Sequence, residues 1–227
     1  MSTQDYLKKL AELFRANGNE ENAAGAKKYM KDKFEYFGIG TPKRRSITRK
    51  FIEKYGVPEN EKLEFVVKQL WNKEEREFQY FAMELLEMRL KSNVFISLEL
   101  IEYLIVHKSW WDTVDFLAPK LAGEILRNDS KKRRNVAMQW MGMENIWLKR
   151  SALLMQLKYK KELDTDLLSE LIKKCLYEKE FFIRKAIGWI LREYSKTNPR
   201  FVLDFVKNNP ISNLSRKEAL KRIPSTK

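Results

Sequence analysis

A chain of 227 residues, 44% hydrophobic and 12% aromatic, can bury one substantial core and is too apolar for a disordered segment. Forty-five Lys and Arg against 31 Asp and Glu give a formal charge of +14, so a polyanion is the natural partner, although charge by itself does not separate DNA from RNA or an acidic membrane. Cys175 is the single cysteine, which excludes an internal disulfide and a thiolate metal cluster and marks it as a small buried filler.

The N-terminus, MSTQDYLKKLAELFRANG, has the pattern of an amphipathic helix and not of a leader peptide. No apolar run approaches the length of a membrane span, so a soluble, cytoplasmic protein is expected. Only eight glycines and six prolines interrupt a chain rich in Leu, Lys, Glu, Ala and Met. GIGTP at 38 to 42 ends one helical stretch and starts another, with Thr41 expected as N-cap and Pro42 at the first helical position. SITRKFIEKY follows, then the break YGVPEN, then LEFVVKQLW, FQYFAMELLEM and LELIEYLIV, each with apolar residues at spacings of three and four. After HKSWWDTVD and the basic run SKKRRN come WLKRSALLMQLKY, LLSELIKKCL and AIGWILREY, with KTNP as a last stop signal. No break is long enough for a linker, so residues 1–227 are read as a single all-α domain without strands.

The segments REFQYFAMELL, SWWDTVDFLAP, NIWLKRSALLMQLKYK and EFFIRKAIGWILREYSK share a pattern of a polar residue, a bulky aromatic and a helix. Anchors at Phe78, Trp111, Trp147 and Phe182 are 33, 36 and 35 residues apart (78 to 111 to 147 to 182), the length of two helices and their turns. A HEAT-like helical repeat solenoid is expected, its stacked pairs leaving one concave, basic surface for a ligand.

Phosphate loops, paired-His metal motifs and nucleophile elbows are absent, so neither metal nor cofactor is expected, and the lone His107 reads as a helix-end packing residue. In HKSWWDTVD, Ser109 is the expected N-cap. Trp111 and Asp115, at i and i+4, share a helix face. Asp112 and Asp115 also suit the positive end of a helix dipole, which is the purely structural alternative. If corresponding helices stand side by side, Arg150 of NIWLKRS and Trp189 of AIGWILREY converge on Trp111 and Asp115. A carboxylate with aromatic walls and a cation is suited to positive charge developing at a sugar carbon beside a phosphate. Basic residues are interleaved with these features: Lys43, Arg44, Arg45 and Arg49, then Lys131 to Arg134, then Lys158, Arg184, Lys185 and Arg192.

In AKKYMKDKFEYFGIGTPKRR, LWNKEEREFQ, KSWWDTVD, NIWLKRSALLMQLKYK, KEFFIRKAIGWILREYSKTNP and LSRKEALK, the chain resembles the AlkD family of bacterial alkylpurine DNA glycosylases over nearly its whole length. The resemblance implies Asp115 as catalytic carboxylate, Trp111 and Trp189 as sugar-facing rings and Arg150 as the arginine beside the lesion. It implies Tyr29 as an aromatic near DNA, and Thr41, Arg45, Lys158 and Arg192 as backbone contacts. It further implies a monomer that hydrolyses N3- and N7-alkylated purines from duplex DNA, probing from the backbone side without extruding the base. Two rivals share these features: a binder of damaged or branched DNA that does no chemistry, and a helical-repeat scaffold for an acidic protein.

Overall fold

In the computed structural model, which describes residues 1–223, the chain is all-α and repetitive. No strand occurs among these residues beyond an isolated parallel bridge between Glu35 and Glu75. The chain divides into two compact units, Met1–Phe95 and Ile96–Lys227. The expected single domain, 1–227, also takes in residues 224–227, which lie outside the described residues.

The first unit holds α1 (Thr3–Ala16), α2 (Glu20–Tyr29), α3 (Thr41–Tyr55), α4 (Asn60–Trp71) and α5 (Arg76–Lys91). Tyr6, Phe14, Phe51 and Phe81, drawn from α1, α3 and α5, pack mostly edge to face with ring centroids 4.9 to 6.4 Å apart. Two buried polar residues of α5 hold the chain around it. The Glu77 carboxylate accepts the backbone N–H groups of Phe37, Gly38 and Ile39 at 3.1, 2.9 and 3.1 Å, fixing the loop that leads into α3. Gln79 Nε2 donates to the carbonyls of Leu70, Trp71 and Lys73, closing the end of α4. Gly38 has φ +81°, and a Cβ there would meet Asn19 O at 2.0 Å, so the Glu77-bound loop requires glycine.

The second unit holds α6 (Leu98–Val106), α7 (Trp111–Leu117), α8 (Gly123–Leu126), α9 (Ser130–Gly142), α10 (Ile146–Leu154), α11 (Thr165–Lys174), α12 (Phe181–Tyr194), α13 (Pro199–Asn208) and α14 (Asn213–Leu220). A π turn over Ala118–Ala122 joins α7 to α8. Asp129, Asn145, Asp164 and Asn198 cap α9, α10, α11 and α13 through side-chain oxygens. α10 packs against α7 on one side and α12 on the other, and α12 packs closely on α14. Cys175 is buried, and burial pushes its thiol up to about 11, as expected of an inert filler.

The repeat is more regular in the structure than in the residues chosen as anchors. α3, α5, α7, α10 and α12 begin at residues 41, 76, 111, 146 and 181, which are 35 apart at every step. The N-cap carbonyls shift two sequence expectations by one residue. Gly40 O accepts Arg44 N–H and Trp110 O accepts Val114 N–H, so Gly40 and Trp110 are the caps in place of Thr41 and Ser109. Ser109 Oγ instead donates to Ile105 O at 2.6 Å.

Replacing Glu77 by Ala would leave three amides of the 37–39 loop without their acceptor. Urea unfolding is expected to show a loss of about 3 kcal/mol, whereas Glu74→Ala, on the exposed surface just before α5, should be neutral.

Candidate active site

Aromatic residues at or just before the starts of α7, α10 and α12 come together. Trp110, Trp147 and Phe182 form a cluster with centroids 5.6, 5.2 and 5.0 Å apart. Trp110 is thus the tryptophan that joins this cluster. Trp111 is left on the face it shares with Asp115 one turn later and is half-buried.

Identical spacing has a further consequence for the fifth residue of each helix in the series. Arg45, Tyr80, Asp115, Arg150 and Lys185 hold equivalent positions. In the second unit, where α7 and α10 are neighbours, this equivalence puts a carboxylate beside a guanidinium. Arg150 Nε donates to Asp115 Oδ1 at 2.7 Å and Arg150 Nη2 to Asp115 Oδ2 at 2.8 Å, a two-point clamp. Arg150 Nη1 donates to Phe182 O at the start of α12, so one side chain ties three repeat helices together. These contacts use three of the five guanidinium N–H groups, and the arginine side chain is only 5% exposed against 19% for the aspartate.

The π turn helps to aim Asp115. Gly123 lies so near the end of α10 that a Cβ would meet Met155 O at 2.1 Å, and Tyr159 Oη donates to Gly123 O at 2.6 Å. Eight residues of regular α-helix would set Gly123 about 80° round from Asp115. One extra residue in the wide turn, closed by Gly123 N–H on Ala118 O, brings the two to within about 20°, so that both face α10. Pro119 suits that turn because it has no N–H to give to the Asp115 carbonyl four residues back.

Burial raises the Asp115 carboxyl above the ordinary aspartate value, and the Arg150 guanidinium pulls partly in the other direction. The result is an anion that water still reaches but does not fully solvate. Such a group interacts more strongly with a nearby positive charge than a surface carboxylate does.

The remaining expected site residues are distributed as follows. Trp189 is half-buried on α12, two turns beyond Phe182, and Arg192 follows one turn later, paired with Glu218. Lys158 is exposed after α10. Tyr29 and Thr41 are exposed in the first unit. Arg45 is exposed there too, and its Nε lies 3.9 Å from Glu84, whose carboxylate chiefly serves the buried Arg44 at 2.7 Å. His107 closes α6 and stacks on Tyr103 at 4.0 Å, the packing role expected of it. Sequence reasoning missed the Phe182 carbonyl, which carries no side-chain signal, and Glu218, an acidic residue in a basic C-terminal stretch. Among the described residues, no helix is long and apolar enough to cross a membrane.

A family model of DNA alkylation repair enzymes matches residues 10–223 of the chain. The protein belongs to that family. A solved structure described as a predicted DNA alkylation repair enzyme from Enterococcus faecalis is 33% identical; the match covers 92% of this chain and 98% of that one, with a TM-score of 0.83. Curated proteins gave no match.

Removing the guanidinium tests the electrostatic account without reference to activity. Arg150→Met should raise the Asp115 carboxyl further, seen as an upward move of its NMR titration midpoint. It should also cost on the order of 3 kcal/mol in unfolding experiments, because the carboxylate loses its partner in a mostly buried site. An unmoved midpoint would show that Arg150 does not set the charge state of Asp115.

Proposed function

We propose that the protein is a DNA glycosylase that hydrolyses the N-glycosidic bond of cationic N3- and N7-alkylated purines in duplex DNA. The observation that carries this reading is the clamped, poorly solvated carboxylate of Asp115, on one helix face with Trp111, in a chain of the DNA alkylation repair family.

Alkylation at purine N3 or N7 makes the base a cation, so it departs with the bonding electron pair as a neutral molecule and needs no proton from the protein. What remains is to stabilise the sugar as its anomeric carbon becomes oxocarbenium-like, and then to deliver water to that carbon. Asp115 supplies the negative charge opposite the sugar and orients the water, whose proton is released as the new C–O bond forms. Trp111 and Trp189 pack against the sugar and shield the site from bulk solvent. Arg150 holds the carboxylate, and the two N–H groups given neither to Asp115 nor to Phe182 are directed to a backbone phosphate.

Tyr29, Thr41, Arg45, Lys158 and Arg192 serve as duplex contacts, in keeping with the formal charge of +14. The damaged base stays in the stack and the sugar is approached from the backbone side, unlike the extrusion used by most base-processing enzymes. On this reading the enzyme acts as a cytoplasmic monomer, a single HEAT-like domain without metal or cofactor.

The test is release of N7-methylguanine from methylated duplex, followed by chromatography. Asp115→Asn should keep duplex affinity and lose roughly 100-fold or more in release. Equal release by both proteins would remove Asp115 from the mechanism, and binding without any release by the parent protein would favour a non-catalytic binder of damaged DNA.

The pH dependence follows from the direction of the Asp115 shift. The active form is the ionised one, and its population falls as pH drops through a midpoint raised above the ordinary aspartate value. The acid limb of the release rate should therefore lie at higher pH than an unperturbed aspartate would give. In Arg150→Met the limb should move higher still.

A further inference from the structure

α12 and α14 meet with almost no space between them. A Cβ on Gly188 would lie 2.5 Å from Glu218 Cβ and 2.9 Å from Ser215 O, so only glycine fits at this crossing. Ser215 Oγ donates to Arg184 O at 2.8 Å, which fixes the register of α14 against α12.

The glycine gap lets Glu218 reach two cations of α12 at once. One carboxylate oxygen accepts Lys185 Nζ at 2.7 Å and the other pairs with the Arg192 guanidinium. Lys185 and Arg192 are seven residues apart, two turns on one helix face, and Trp189 lies on that face between them, four residues after one and three before the other. The carboxylate is 13% exposed, whereas Lys185 and Arg192 are 36% and 24% exposed. A covered anion thus anchors two cations whose outer faces remain open to a ligand, and the cluster keeps a net positive charge.

Lys185 also holds the repeat position of Asp115 and Arg150, since 115, 150 and 185 are each the fifth residue of their helix. The regular spacing that makes the first two neighbours puts the next repeat's cation in line with them. Left alone, long Lys and Arg side chains sample many rotamers; a shared carboxylate restricts both.

We propose that Glu218 is a positioning residue that holds Lys185 and Arg192 on either side of Trp189, so that both grip the sugar-phosphate backbone flanking the nucleotide being processed. The proposal rests on the base-excision reading given above, and it adds Lys185 to the duplex contacts.

The experiment measures single-turnover release of N7-methylguanine, duplex affinity at several salt concentrations and thermal unfolding, for the parent chain, Glu218→Gln and Lys185→Met. Glu218→Gln frees two cations from their fixed counter-charge. Release should fall about tenfold and, with both grips loosened, the dependence of log affinity on log salt should become shallower by roughly one unit. Lys185→Met, at a partly exposed position that should not disturb folding, should make that dependence shallower by about one unit and also lower release.

A salt slope unchanged in both variants would overturn the proposal, as would release within twofold of the parent. A drop in release that only tracks lost folded protein, with the parental slope, would mark Glu218 as a structural residue and equally overturn it. Should the parent chain itself release no base, the base-excision reading fails, and the slopes alone then decide whether Glu218 orders a backbone contact.

Discussion

The two-point contact between Asp115 and Arg150 is the interaction on which the local architecture and the proposed chemistry both depend. Placing a carboxylate in a mostly buried position is unfavourable unless a partner of opposite charge, correctly oriented, replaces the lost water. Arg150 fulfils that condition with parallel N–H donors, and the Phe182 carbonyl and ring hold it in place. The charge at Asp115 is therefore a product of three successive repeats. A carboxylate held this way is already oriented before any ligand arrives, which is the property that electrostatic stabilisation of a developing cation requires.

The repeat itself explains how such a site arises with little cost to the scaffold. Helices of the second unit that start 35 residues apart carry equivalent positions into register, and a row of fifth residues runs Asp115, Arg150 and Lys185. Substitutions along that row change the chemistry of one face, while burial depends on other positions of the same helices. The supporting polar groups lie inside. Glu77 and Gln79 close the backbone ends around α5, and Arg133 Nη1 donates to the carbonyls of Leu126 and Arg127 at the end of α8. Gly123 and Gly188 mark two close approaches in the second unit, and each adjoins a residue of the candidate site or its supports.

Much of this was legible in the residues. Apolar spacing identified the helices, and the period of about 35 emerged from anchors at slightly different places in their helices, Phe78 third, Trp111 first, Trp147 and Phe182 second. Either tryptophan satisfies a pattern of bulky aromatics near a helix start. Only the packing of Trp147 and Phe182 around Trp110 distinguishes them. The caps at Gly40 and Trp110 were likewise missed by one residue, because the first intrahelical hydrogen bond is a property of the backbone path and not of the side chain best suited to capping.

By itself the sequence determined the helical class, the repeat length, the basic charge and the presence of Trp111, Asp115, Arg150 and Trp189 at favourable positions, since each of these depends on local spacing or composition. The tertiary structure decided which groups meet. Arg150 gives three of its donors to Asp115 and to a carbonyl of α12, Glu218 is shared by Lys185 and Arg192, and a π turn brings Gly123 to the α10 side with Asp115. Such contacts join residues 26 to 35 positions apart, and their geometry follows from helix phase and from approaches of a few ångströms, which no periodicity in a linear pattern specifies.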